Sequence, residues 1–311
     1  MNEIFLYLSG SRAYGFSNPE SDYDYRGVFI APRQSLFDLG FASQRESKES
    51  KDGKNGEKVL FEIRKLFQLM CDNNPNTIEF LFVPDDCILS TSDLWNQVIK
   101  KRSIFLSKKV RYSFSGYAIA QMKRIRTHRR YLLDPPNHQP TRSEFGLPEY
   151  STIPKEYRSA ILTIPDEFLS EGIKDSARRE LQFLETTNKW NSYQEWLVKR
   201  NPARREIEKK HGYDCKHATH LVRLCRQAEE LLTTGEMFVR RPDADELLQI
   251  RQGAWSYEQL EEYARQIDFS LQEVYDKSTL PYSPDTKASK DLLAHLLSEH
   301  YNIDLESDYG K

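Results

Sequence analysis

The sequence has no apolar run approaching the ~18 residues that a membrane-crossing helix requires, so no helical span is expected. The strand-like run Ile4-Phe5-Leu6-Tyr7-Leu8 begins so early that no secretory leader is expected either. Cysteine is scarce. The four present, Cys71, Cys87, Cys215 and Cys225, form no C-x-x-C pair, which argues against a disulfide framework and for buried thiols in a reducing cytoplasm. His217 and His220 lie near Cys215 and Cys225, but those cysteines are ten residues apart and the close ligand pairs of a structural zinc site are missing. Walker A, G-x-G-x-x-G and G-x-S-x-G patterns are absent as well, which removes the usual grounds for a P-loop, a Rossmann nucleotide site or a serine hydrolase. There is no repeat of fixed period, and a net charge of -2 excludes a uniformly basic coat.

What is present is concentrated near the start. Gly10–Ser17 reads GSRAYGFS and Ser21–Gly27 reads SDYDYRG, so a Gly-Ser turn directly follows an apolar strand and stands ten residues ahead of an Asp-x-Asp pair. In a strand continuing into Val28-Phe29-Ile30, Asp22 and Asp24 point to the same face, because side chains alternate with period two. Two carboxylates side by side repel unless a cation lies between them, and Mg²⁺ or Mn²⁺ suits oxygen donors while leaving positions for phosphate oxygens. The Gly-Ser turn supplies the complementary half: glycine allows close backbone approach, and N–H groups with the Ser11 hydroxyl can cradle a phosphate.

This G-S-x10-D-x-D arrangement resembles the polymerase-β-like nucleotidyltransferase superfamily. The resemblance is closer to the branch found near RNA-repair genes, which carries motifs like GSRAYGF, SDYDYRG, E-I-R-K (here from Glu62) and N-P-N-x-x-E-x-L (here Asn74–Leu81). It implies transfer of an NMP from an NTP to a hydroxyl acceptor, with an RNA or tRNA end as the expected acceptor. A protein hydroxyl is the variant within that class, and a non-catalytic nucleotide- or RNA-binding module the alternative outside it. The superfamily takes a third carboxylate from a neighbouring strand. Glu62, at the end of Val59-Leu60-Phe61, is the expected one, with Glu57 in the preceding polar run as the fallback. Asp22, Asp24 and Glu62 are then the catalytic metal ligands, and Gly10, Ser11 and Arg12 hold the triphosphate. Glu79 matches the family pattern as a supporting residue.

Seven basic residues against one acid lie between Arg111 and Arg142, and a helix is expected over Tyr117–Leu133. Lys123, Arg126 and Arg130 share a face of that helix and are candidates for RNA phosphates. The Pro-rich stretch from Asp134 to Pro148 reads as a loop, and its P-T-R-x-x-F-G-L-P resembles a family feature that would form a substrate-facing arm. Beyond Pro165 helices are expected over Asp166–Asn188, Ser192–Gly212, Asp214–Thr234, Asp243–Gly253, Ser256–Lys277 and Asp285–Tyr301, from their Asp or Ser starts and glycine ends. Lys216, His220 and Arg223 form one polar stripe on the third of these, placed to meet the nucleotide. The expected fold is α+β: a nucleotidyltransferase-type mixed sheet flanked by helices, then an all-helical C-terminal domain. The expected divisions are a catalytic domain 1–110, a basic helix and arm 111–165, and a helical domain 166–311.

Overall fold

Five strands form one mixed sheet in the order β3-β4-β2-β1-β5. The computed structural model describes residues 2–19, 21–37, 43–51, 54–199 and 202–303. β1 (Asn2–Leu8) buries Ile4, Phe5 and Tyr7, and leads through Ser9 into the short helix α1 (Gly10–Tyr14). β2 (Tyr25–Ile30) returns antiparallel to β1, with Leu8 opposite Tyr25 and Tyr7 opposite Arg26. β3 (Gln44–Lys51) and β4 (Lys54–Glu62) are antiparallel to each other. β4 lies parallel to β2, so both strands run away from the Gly-Ser turn in the same direction. β5 (Ile88–Thr91) closes the other edge against β1.

Local chemistry sets the helix starts. The Glu62 side chain caps α2 (Ile63–Cys71), and Asn74 caps α3 (Pro75–Ile78), where Pro75 takes the first turn at no hydrogen-bond cost. Ser92 caps α4 (Asp93–Lys100), and α5 (Val110–Leu133) follows. α6 (Arg158–Ile161), α7 (Glu171–Lys199) and α8 (Pro202–His211) precede α9 (Cys215–Thr234) and α10 (Ala244–Arg251). Ser256 and Gln259 build a capping box at α11 (Tyr257–Lys277), and Asp285 caps α12 (Thr286–Tyr301). No described helix is long and apolar enough to cross a membrane.

The chain divides into two compact units, residues 1–124 with 215–311, and residues 125–214. The cuts between these units fall near 124 and 214, inside α5 and ahead of α9. The reason lies in the core. Phe5 stacks on Trp95 at 4.7 Å, and Phe80 meets Tyr7 edge-on at 5.1 Å. Leu224, Leu231 and Leu232 of α9, Leu271 of α11, and Leu292 and Leu296 of α12 belong to that same cluster. At roughly 2 kcal/mol for each fully buried leucine, these six contribute about as much as the net stability of a whole domain. The C-terminal region is helical, as expected, but its apolar faces complete the core of the sheet.

In the second unit, α7 runs unbroken through Asn188–Ser192, where two helices were expected. That stretch has neither glycine nor proline to stop it. The Pro-rich segment expected as a substrate-facing arm is pinned. Thr141 and Glu144 form a capping box, and the Arg142 guanidinium donates to both carboxylate oxygens of the buried Glu180 on α7, at 2.5 and 3.2 Å. Arg142 Nε also donates to the Pro148 carbonyl at 2.6 Å, closing the turn on itself.

Candidate active site

The strand ends nearest the Gly-Ser turn carry the acidic residues. Ser9 donates its backbone N–H and its hydroxyl to the Asp24 carbonyl, at 2.7 and 3.2 Å, which joins the exit of β1 to the entry of β2. Gly10 follows at φ +68, a conformation that disfavours a side chain, and a Cβ there would lie 2.9 Å from Asp24 Oδ2. Glycine thus lets the turn sit directly against the second aspartate of the pair. On the other side, a Cβ at Gly56 would collide with the Tyr23 carbonyl, so glycine there admits the acidic loop against β4.

Parallel pairing sets what stands opposite Asp24. Tyr25 is level with Lys58, so the preceding residues, Asp24 and Glu57, are level too and share a face. The Glu57 backbone N–H donates to the Asp24 carboxylate, and its side chain accepts from Arg26 Nη2 at 2.6 Å. Burial raises the Asp24 pKa above its ordinary value. Arg26 opposes the shift, while the Glu57 and Asp22 carboxylates add to it. Asp24 thus feels both the Glu57 and the Asp22 carboxylate as like charges. Carboxylate oxygens of this kind suit a hard divalent cation, which would replace the repulsion at Asp24 by attraction.

Glu62 does not join them. It lies opposite Phe29, five residues along β4 from Glu57, or about 16 Å at the usual rise of a strand. It is 1% exposed, and its Oε2 accepts from the Arg64 backbone N–H and from Arg64 Nε, both at 3.0 Å. β4 runs parallel to β2, so its C-terminal end points away from the Gly-Ser turn and its polar N-terminal half points towards it. The apolar half, Val59–Phe61, is only the second part of the strand, and Glu62 stands at its far end. The upstream run from Lys54 to Lys58 is strand as well, and Glu57 is the acid level with Asp24.

Arg12 holds protein where triphosphate contact was expected. Its Nη2 donates to the Ser21 carbonyl at 2.7 Å and its Nε to the Asp22 carbonyl at 3.2 Å, with the guanidinium 3.7 Å over the Tyr23 ring. The Ser21 hydroxyl donates to Asn18 Oδ1 at 3.0 Å, so the loop that presents Asp22 is held from both ends. Gly10 stands beside Asp24, and Ser11 follows it in α1.

The α9 stripe divides in two. Lys216 and His220 are half-buried, whereas Arg223 and Gln227 are buried. Arg223 is ion-paired with Glu79, donates to Gln227 Oε1 at 2.8 Å, and lies 4.0 Å over the Tyr14 ring. Tyr14 OH donates to Glu79, at 3.0 and 3.2 Å from its two oxygens, and the Tyr14 carbonyl accepts from the Arg241 backbone N–H at 3.0 Å. Arg223 therefore acts on α1 through Tyr14, three residues after Ser11, where direct nucleotide contact was expected. His220 Nδ1 lies 3.2 Å from Arg223 Nη2, and burial followed by that guanidinium and Lys216 pushes its pKa well below the ordinary value. Lys123, Arg126 and Arg130 are exposed on α5.

Residues 1–133 match the RlaP family, the RNA repair pathway DNA polymerase beta family. An uncharacterized 38.9 kDa protein of the nrdC-mobD intergenic region of Enterobacteria phage T4 is 28% identical over 129 residues, which are 39% of this chain and 38% of that relative. The match thus spans less than two-fifths of the relative's length. These findings support the polymerase-β-like, RNA-repair-associated branch for the first 133 residues, the part that contains the turn and the acidic cluster.

Proposed function

We propose that the protein is a metal-dependent nucleotidyltransferase that moves an NMP from an NTP to a hydroxyl, with an RNA end as the acceptor. The observation that carries this reading is that Asp24 and Glu57 stand level on neighbouring strands, with the Asp22 charge felt at Asp24 and Gly10 packed against it. Asp22, Asp24 and Glu57 would hold Mg²⁺ or Mn²⁺, which when bound polarises phosphate oxygens and lowers the pKa of the attacking hydroxyl. The chain's own residues do the rest. The Gly10-Ser11 turn seats the phosphates next to the carboxylates, and Arg12 fixes the loop bearing Asp22. The acceptor oxygen attacks the α-phosphorus, the bond to pyrophosphate breaks, and the hydroxyl proton passes to the carboxylate cluster. Tyr14, Glu79 and Arg223 hold α1 in register with the cluster and so orient the turn.

The test is incubation of the purified chain with each α-labelled NTP, Mg²⁺ or Mn²⁺, and either RNA with a free 3′ hydroxyl or lysate protein. Label on RNA, lost in Asp24→Asn, is the expected result. Label on protein alone replaces the acceptor. No label with any NTP, or undiminished label in Asp24→Asn, overturns the enzyme reading.

A further inference from the structure

The two halves of α7 differ in a way that transfer chemistry alone does not require. Its first half is covered: Lys174, Ala177 and Glu180 are buried, beneath the Arg142–Phe145 turn and α6. Beyond Glu180 no described residue of α7 is buried, yet this half carries Trp190, Tyr193 and Trp196. All three are half-buried. Tyr193 and Trp196 stack with centroids 5.9 Å apart and planes 28° apart, and Trp190 lies 6.2 Å from Tyr193. Tyr131, near the end of α5, closes the group at 5.3 Å from both Tyr193 and Trp196. Each ring of this kind carries roughly 150–250 Å² of surface, so leaving three of them part-exposed in one row is costly unless something covers them. The charge beside the row names the occupant. Arg126 and Arg130 stand one helical turn apart on the exposed face of the same α5 segment that supplies Tyr131.

We propose that this ring cluster in residues 125–214 is a base-stacking platform for single-stranded RNA, with Arg126 and Arg130 on the sugar-phosphate backbone. Unstacked bases present two flat faces to Trp and Tyr rings without sequence preference, and the guanidinium groups match the phosphates alongside. The proposal rests on the RNA-acceptor reading above. It specifies that the acceptor is gripped by its bases in single-stranded form, as well as by its charge.

The test is a binding measurement on the full chain without NTP or metal, so that its outcome is separate from transfer. Tryptophan fluorescence is titrated with rU12, with an abasic 12-mer of the same charge, and with a blunt RNA duplex. The chain has four tryptophans, of which Trp95 is fully buried, so stacking reads out at Trp190 and Trp196 and is checked against Trp255 by substitution. The expected result is quenching by rU12 with at least about tenfold tighter binding than the abasic strand or duplex. Trp190→Leu and Trp196→Leu should each weaken rU12 binding roughly 5- to 100-fold, with the helical circular dichroism unchanged. Equal affinity for the abasic strand, measured on the unaltered chain, overturns the platform whether or not the variants fold. So does rU12 affinity unmoved by both substitutions, or no binding of rU12 at all. Stacking without any label transfer would leave the platform standing and remove the enzyme reading.

Discussion

Glu79 and Arg223 lie 144 residues apart in the chain and form an ion pair in which both side chains are almost wholly buried. The same guanidinium covers the Tyr14 ring, and Tyr14 OH donates to Glu79, so the five-residue helix after the Gly-Ser turn is tied to α9 through one network. A helix that short has no stability of its own. Removing one partner leaves an uncompensated buried charge. Arg223→Met or Glu79→Leu should therefore lower stability by about 3–5 kcal/mol in urea unfolding, whereas the double substitution should recover part of that loss. A double variant no more stable than the worse single one would deny the pair its isolated role. If the network orients the turn, Arg223→Lys, which keeps the charge, should raise the KM for NTP more than it lowers kcat.

The acidic cluster makes a prediction that separates two glutamates. Asp22→Asn, Asp24→Asn and Glu57→Gln should each reduce label transfer by more than the roughly 100-fold that loss of outer-shell support costs, with melting temperature little changed. Glu62→Ala should do the reverse, because it caps α2 and lies far from Asp24. A loss of about 0.5–2 kcal/mol in stability with transfer retained is expected there. Transfer abolished by Glu62→Ala and retained in Glu57→Gln would restore the reading made from sequence.

What the sequence disclosed follows the range of the interactions. β1 and the Gly-Ser turn were legible because alternation and glycine are local signals, whereas Asp22 and Asp24, expected in a strand, precede β2, which begins at Tyr25. Helix starts at Ser256 and Asp285 were legible from their caps for the same reason. Glu57 was not, because which acid meets Asp24 depends on β4 lying parallel to β2 at one register, and a polar run gives no sign of its partner. The division into two compact units rests on the same long-range information. Leu224, Leu271 and Leu296 look like the interior of a helical domain until the sheet they cover is known. Arg223 was recognised as important for its position on the stripe, but its partner Glu79 fixes what it does.

Acid should weaken the fold through His220. Burial, with Arg223 and Lys216 nearby, keeps this imidazole neutral in the folded state, below its ordinary value near 6.5. The unfolded chain binds the proton more readily, so stability rises with pH between the two values. The contribution is fully present above about pH 6.5 and is lost progressively as pH falls towards the depressed folded value. Urea midpoints measured from about pH 8 to about pH 5 should fall less steeply in His220→Asn than in the unaltered chain. Identical slopes would assign the acid sensitivity to other groups.

The basic face of α5 is tested by salt. Lys123, Arg126 and Arg130 recur at spacings of three and four on the exposed side of the helix, while Met122 and Ile125 are buried on the other side. If these three cations neutralise RNA phosphates, each contact releases condensed counterions. The logarithm of affinity should then fall against the logarithm of salt concentration with a slope of about -0.7 per single-strand contact. Reversing Arg126 and Arg130 to glutamate should flatten that slope by roughly 1.4, two contacts' share, and weaken binding for all sequences alike, since phosphate contacts position a strand without reading its bases. A Trp196→Leu variant should weaken rU12 binding while leaving the slope as it was, because stacking displaces no counterions. RNA binding indifferent to salt and to the arginine reversals would remove this face from RNA recognition and favour a protein or small-molecule hydroxyl as the acceptor.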